Sequence, residues 1–339
     1  MAAAQLWCEA DAARLRPGSR AAYIIASVTA SRSLQIASRC SQLLGGKLRA
    51  APASARGTGR TAYTKDVRRM SERVRWYTST VGGRNQTMNS TTTFYDELAD
   101  LYHLLYEDWP ASIERQGATL SALIRAHDAS AVVVADVACG IGTQALGLAA
   151  HGYRVIGSDL SSGALERLRR EATTRALAIE ARVDDMSKLD TYSDGAVDVL
   201  IACDNAVPHL LSDDQILNAF RQFHRVIRPG GLCILSVRDY AAMPPASVRF
   251  VPYGLREVPG GRVAVFQVWE YEGQRYRFGL YFVFDRGGKV ETRVFRATYY
   301  TVSIETLCGL LRDAGFLNVR RVDDALFQPL LIAAKARTA

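Results

Sequence analysis

Ala131-Val-Val-Val-Ala-Asp136-Val-Ala138-Cys-Gly140-Ile-Gly142 is the stretch on which the fold turns. Its first eight residues form a short apolar run, which predicts a fully buried strand over 131–138. Gly140 and Gly142 follow at once, and Thr143–Ala150 reads as a helix. Such a loop lets the backbone approach a ligand, while the next helix offers free N–H groups. With Ala145 the loop also fits the dinucleotide fingerprint G-x-G-x-x-G/A, so taken alone it leaves the cofactor open.

Outward from this loop the chain alternates. Strands are predicted at Tyr153–Ser158, Leu177–Val183, Val197–Cys203 and Leu232–Val237, and a helix at Ser161–Thr174. Ser212 and Gln215 form a capping box before a further helix carrying Ile216, Phe220, Phe223 and Ile227. Arg228-Pro-Gly-Gly231 is expected to end that helix. Strand–helix alternation of this kind predicts an α/β fold with a parallel sheet covered on both faces. Upstream, Phe94, Leu98, Leu101, Leu105 and Trp109 fall at helical spacing, Pro110 interrupts them, and Ile113, Leu120, Leu123 and Ile124 mark a second helix. Downstream, Arg262–Tyr271, Tyr276–Asp285 and Val290–Tyr299 alternate as strands with turns at Gly273 and Gly287-Gly288, an antiparallel meander. A helix over Ile304–Ala314 and strands over Leu317–Val322 and Pro329–Lys335 close the chain.

Charge divides the sequence in two. Residues 1–88 hold 15 Lys and Arg against 4 Asp and Glu, a net of +11, and residues 89–339 hold 27 against 30. The isoelectric point of about 9.3 therefore belongs to the N-terminal segment. The body is mildly acidic, without a general nucleic-acid footprint. Three readings fit residues 1–88: an organelle transit peptide, a disordered basic extension, or translation from upstream of a natural start at Met88. Residues 89–339 are then one domain, with a substrate-side insertion at about 240–300. A mean hydropathy of -0.03, with no run of about 18 uncharged apolar residues, predicts no membrane span. The 6 cysteines form no C-x-x-C pair, so neither a zinc site nor a disulfide framework is expected. A reducing compartment, the cytoplasm, is expected, with organelle targeting by residues 1–88 left open.

Asp159 suits a nicotinamide cofactor and S-adenosylmethionine equally, and three other features separate the two. Asp159 closes the second strand, where it can accept both hydroxyls of a ribose. Asp136, at the end of the first strand, would repel a pyrophosphate but suits a cationic sulfonium ligand. Asp184-Asp185-Met186 follows the third strand, where an acidic side chain can accept from an adenine amino group. No Tyr-x-x-x-Lys pair for hydride chemistry occurs in the body. The set favours S-adenosylmethionine over a nicotinamide cofactor. Arg238, at the carboxyl end of the fifth strand, can hold a carboxylate bidentately; a surface salt bridge is the alternative.

Residues 91–339 resemble the class I S-adenosylmethionine-dependent methyltransferases, and within them the glycine and sarcosine N-methyltransferases. The likeness rests on Asp136-Val-Ala-Cys-Gly140, on Asn205-Ala-Val-Pro-His209-Leu after the fourth strand, and on Arg238-Asp-Tyr240 after the fifth. It implies a Rossmann-like sheet, mostly parallel, with an antiparallel last strand. It implies methyl transfer to a small-molecule acceptor, namely the amine of a small amino acid such as glycine or sarcosine. O- or C-methylation of another small metabolite, a nucleic-acid methyltransferase and a non-catalytic cofactor-binding protein are the alternatives. Asp136, Ala138, Gly140 and Gly142 would line the cofactor, with Leu160 beside Asp159 and Cys203 at the end of strand four. Asp184, Asp185 and Met186 would flank adenine, and His209 would lie nearby. Arg115 would bind the cofactor carboxylate, and Tyr95 and Tyr102 would close the site. Asn205, Arg238 and Tyr240 would position the acceptor. No metal is implied. The sequence departs from that family's pattern at Val237, Asp239 and Asp185.

Overall fold

The computed structural model describes residues 90–337; the readings of residues 1–88 lie outside them. Helices α1 (Thr91–Leu98) and α2 (Trp109–His127) come first. There follow β1 (Val133–Asp136), α3 (Thr143–Ala150), β2 (Arg154–Asp159), α4 (Ser162–Thr174), β3 (Ile179–Val183), β4 (Val197–Ala202), α5 (Asp213–Val226) and β5 (Ile227–Ser236). Strands β6 (Val248–Val258), β7 (Gly261–Glu272), β8 (Arg275–Arg286) and β9 (Lys289–Tyr300) precede α6 (Ile304–Asp313), β10 (Leu317–Val322) and β11 (Leu330–Ala334).

Among the described residues one sheet has the order β10-β11-β5-β4-β1-β2-β3. Strands β1 to β5 pair in parallel, and β11 runs antiparallel to both β5 and β10. This is the Rossmann-like sheet with one reversed strand near its end. Both faces of it are covered by buried apolar side chains. Helices α2 and α3 cross at Gly117 and Gly147, so closely that a Cβ on Gly117 would sit 2.6 Å from the Gly147 backbone. Gly117→Ala should therefore cost about 1–3 kcal/mol despite alanine's better helix propensity. Urea denaturation checks this, and an unchanged midpoint would mean that the crossing is looser than described.

The second sheet has the order β6-β7-β8-β9, an antiparallel meander lying between β5 and α6 in the chain. Its inner face carries Trp269, Tyr276, Phe278 and Tyr299, and Phe94 of α1 packs edge-on to Phe278 at 5.6 Å. The meander thus brings an aromatic wall to the carboxyl ends of the parallel strands. Among the described residues no helix is long and apolar enough to cross a membrane.

Three expectations are corrected. Pro110 does not end a helix but begins one: it lies in the first turn of α2, where its missing N–H costs nothing, and Asp108 caps that turn by accepting from the Ala111 N–H at 2.9 Å. Residues 102–105 form a short 3-10 turn between the two helices. Arg228-Pro-Gly-Gly231 lies within β5 rather than in a turn before it. There Arg228 ion-pairs with Asp128 and Asp198 at the amino-terminal end of the sheet, away from the glycine loop. Finally, the meander has a fourth strand, β6. Pro252 and Gly254 mask its alternation, and both are tolerated because β6 is an edge strand with a register shift between them.

Candidate functional site

The glycine loop leaves β1 and enters α3 through two left-handed glycines, Gly140 (φ +50°) and Gly142 (φ +94°). A Cβ at Gly142 would lie 2.3 Å from Leu168 Cδ1, so only glycine fits there. The Gly140 N–H donates to Asp159 Oδ2 at 2.8 Å, and the Ser161 N–H donates to Oδ1 at 2.9 Å. Asp159 therefore joins the glycine loop to the start of α4. Burial pushes its carboxyl above the ordinary range, against the pull of these two N–H groups.

Above the loop lies a cavity of about 520 Å³, lined by Tyr95, Tyr102, Ala138, Gly140, Asp159, Leu160, Asp184, Asp185, Met186, Cys203, Asp204 and His209 among others. Among the described residues its wall also includes Asp214 but no lysine or arginine. His209 adds no charge at neutral pH, because burial lowers its pKa to about 4. Its Nε2 lies 2.7 Å from the Tyr95 hydroxyl, and its ring packs 4.3 Å from that of Tyr299. The electrostatic character of the cavity is negative.

The carboxylates do different work. Asp184 accepts from the Thr191 N–H (2.9 Å) and hydroxyl (2.5 Å), and Asp185 from the Ser187 N–H (2.8 Å) and hydroxyl (2.7 Å). Both mainly fold the loop after β3 and reach the cavity as part of its wall. Asp136 lies below the glycine loop, fully buried and outside the cavity lining. Neither of its oxygens has a well-formed hydrogen bond, although the Ala138 N–H offers partial help. Burial raises its pKa to about 8, with the neighbouring Asp159 charge adding to the effect.

The sign of the resulting pH dependence follows. The folded chain holds this proton to higher pH than the unfolded chain, whose aspartates titrate near 3.9. The contribution to stability is complete below about pH 4 and is lost as pH rises through 8. Wild-type protein should therefore lose several degrees of Tm between pH 5 and pH 8 that Asp136→Asn does not lose. Parallel curves for the two proteins would count against a protonated Asp136.

Beside the cavity, the turn after β4 organises a second group. Asn205 Oδ1 accepts the Arg238 backbone N–H at 3.0 Å, and its Nδ2 donates to the Tyr240 hydroxyl at 2.8 Å. The Arg238 guanidinium lies 4.6 Å over the Trp269 ring and donates to the Tyr276 hydroxyl at 2.9 Å. Burial opposes its charge, and the oxygens of Tyr276, Tyr240 and Tyr253 more than offset that. Among the described residues no carboxylate ion-pairs with Arg238, so the surface salt bridge considered from the sequence does not form. Asp239 is the residue of this segment that does pair, with Arg321 at 2.6 Å.

The structure thus brings together Tyr95, Tyr102, the loop residues, Asp159, Leu160, Asp184–Met186, Cys203 and His209 in one cavity, with Asn205, Arg238 and Tyr240 grouped beside it. Gly142 supports the cavity without lining it. Arg115 is not brought in: it is exposed on α2 and donates to Ser112 at 3.1 Å. A helix turns by about 100° per residue, so a small error in helix phase is enough to misplace a side chain. Sequence reasoning missed Asp204, Tyr106, Gln144 and Tyr253, and left Trp269 and Tyr276 unassigned among many meander aromatics. Only the adjacency of Asp204 to Asn205 gave any signal.

Comparison with known proteins bears on the fold around this site. Residues 134–231 match the family described as a methyltransferase domain. A Streptomyces fradiae dTDP-3-amino-3,6-dideoxy-alpha-D-glucopyranose N,N-dimethyltransferase is 26% identical over 218 residues, 63% of this chain and 82% of that protein. Mouse glycine N-methyltransferase is 28% identical over 156 residues, 42% of this chain and 52% of its own. In fold, the chain resembles the S-adenosylmethionine-bound amino pentose methyltransferase CalS10 of Micromonospora echinaspora, with a TM-score of 0.60, 18% identity, and coverage of 70% of this chain and 95% of that one. The chain spans only 53% and 58% of two other curated relatives, from Bacillus subtilis and Geobacillus. The matched segment runs from β1 into β5, the part of the chain that carries the glycine loop.

Proposed function

We propose that this chain, built around that methyltransferase domain, moves a methyl group from S-adenosylmethionine to the amine of a small acceptor that also carries an anionic group. The single observation behind this reading is Arg238. Among the described residues it is a half-buried cation with no carboxylate partner, stacked on Trp269 beside a cavity lined with carboxylates. The residues present fit the cofactor. Among the described residues the cavity wall carries acids and no lysine or arginine, and left-handed Gly140, beside which a Cβ position meets nothing, keeps its floor open. A pyrophosphate would meet the same acids as repulsion.

When bound, S-adenosylmethionine supplies an electrophilic methyl group on a sulfonium. The chain's own task is positioning. Asp159 and the Gly140 N–H hold the loop in shape, and the loop after β3 forms the far wall. Arg238 holds the acceptor anion, fixed by Asn205 at its backbone and Trp269 at its face. Tyr95, Tyr102 and Tyr299 keep water out between the two groups. A cation next to the bound amine lowers the pKa of the ammonium, which favours the neutral nucleophile.

Glycine or sarcosine is the simplest acceptor with this charge pattern. An amino sugar on a nucleotide is the second reading. It is supported by the match to the Streptomyces fradiae enzyme, which covers more of this chain than the match to glycine N-methyltransferase. Calorimetric titration with S-adenosylhomocysteine, followed by glycine, sarcosine or a dTDP-linked amino sugar, tests both. Binding of an amine acceptor only after the nucleoside supports the reading. Absence of nucleoside binding would sink it.

A further inference from the structure

Among the described residues Asp204 (φ +55°) and Asn205 (φ +67°) are the only adjacent non-glycine residues in the left-handed region. Strain of this kind persists where the surroundings over-determine it, and it concentrates at functional sites. Here the surroundings do so. The Asp204 N–H donates to Ser236 Oγ at 2.7 Å, and the Asn205 N–H donates to the Ser236 carbonyl at 3.0 Å. The turn directs two side chains in different directions: the Asn205 amide towards Arg238 and Tyr240, and the Asp204 carboxylate into the cavity wall.

A relay then holds that carboxylate. The Trp109 indole N–H donates to Thr143 Oγ1 at 2.9 Å, and the Thr143 hydroxyl to Tyr106 Oη at 3.2 Å. The Tyr106 hydroxyl donates to Asp204 Oδ2 at 2.6 Å, and Gln144 Nε2 joins it at 3.0 Å. All of these donors meet Oδ2. Among the described residues no donor meets Oδ1, and no lysine, arginine or histidine ion-pairs with the group. One oxygen is locked and the other is left without a donor, in a residue that lines the cavity.

Resting on the proposed methyl transfer, we infer that Asp204 is an ammonium-binding site, its Oδ1 accepting an N–H of a positively charged amine in the cavity. A sulfonium has no hydrogen to donate, whereas an ammonium has three. Charge-assisted hydrogen bonds to a fixed carboxylate are among the stronger polar contacts a site can offer. Two sources carry this chemistry: the amino-acid end of S-adenosylmethionine and the acceptor amine. With the acceptor as source, Asp204 and Arg238 together would recognise the zwitterion as it binds, and the ammonium would have to lose its proton, against the pull of Asp204, before the neutral amine attacks.

Asp204→Asn tests this in the full chain. Asparagine keeps an acceptor for Tyr106 and Gln144 and tolerates the left-handed turn. The probes are S-adenosylhomocysteine, 5′-methylthioadenosine (the same nucleoside thioether without the amino-acid end) and sarcosine in the presence of S-adenosylhomocysteine. Methylthioadenosine affinity should stay within about twofold. A loss of roughly 10- to 100-fold for S-adenosylhomocysteine alone assigns the ammonium to the cofactor. A similar loss for sarcosine, with S-adenosylhomocysteine unchanged, assigns it to the acceptor. Both results support the inference. Unchanged S-adenosylhomocysteine and sarcosine affinities overturn it, as does an equal loss for methylthioadenosine, which would make Asp204 a structural support. Wild-type protein that bound neither nucleoside would overturn the methyl-transfer reading itself, and this inference with it.

Discussion

Replacing Arg238 with glutamine should lower kcat/KM for the amine acceptor by about 10²- to 10³-fold, while S-adenosylhomocysteine binds within about twofold of wild type. The expected loss, roughly 3–4 kcal/mol, is that of a desolvated charge-assisted contact left without one partner. Glutamine keeps a planar donor near Tyr276, and Asn205 holds the backbone N–H rather than the side chain, so the turn should survive. The substitution removes the charge and the stacked fork over Trp269. Arg238→Lys should recover only part of the activity, since a lysine ammonium neither stacks in the same way nor binds an anion bidentately. Steady-state kinetics together with calorimetry separates the outcomes. A parallel fall in nucleoside affinity would mean that Arg238 supports the cavity rather than the acceptor.

Asp159→Ala should reduce S-adenosylhomocysteine affinity by about 100-fold or more and abolish the rise in Tm that the nucleoside causes. Two backbone donors, the Gly140 and Ser161 N–H groups, lose their common acceptor at once. The part-buried N–H groups are left unsatisfied at about 1 kcal/mol each, and the loop loses its tie to α4. Under the proposed function the nucleoside would lose its ribose contact as well. Asp159→Asn offers an oxygen to only one of the two N–H groups and should fall between wild type and alanine. Thermal shift with and without nucleoside reads both effects. A variant that is destabilised but binds normally would confine Asp159 to a structural role.

The buried strands and the glycine loop were legible because each depends on neighbours in the chain, whereas the reversal of the last strand was implied only by the family resemblance. Ala131–Ala138 announces a strand by composition, and Gly140 and Gly142 announce a tight turn by lacking a Cβ. Asp159 was legible from its place at the end of β2. The edge strand β6 was not, because Pro252 and Gly254 interrupt the alternation that signals a strand, and an edge position alone lets them stay. Pro110 was read as a terminator when it initiates, because proline suits the first turn of a helix as well as the residue beyond its end.

What the sequence determined by itself was the list of chemical groups and the local elements carrying them: carboxylates after β1, β2 and β3, an arginine after β5, and aromatic residues along the meander. Tertiary structure alone decided which of these meet. Arg238 gains Tyr276 from 38 positions away, His209 gains Tyr95 from 114 away, and Asp204 gains Tyr106 from 98 away, while Arg115 is left on a solvent face. Periodicity and turn chemistry act over a few residues. The convergence of distant side chains instead depends on how the sheets and helices close over one another, and no spacing along the chain records that.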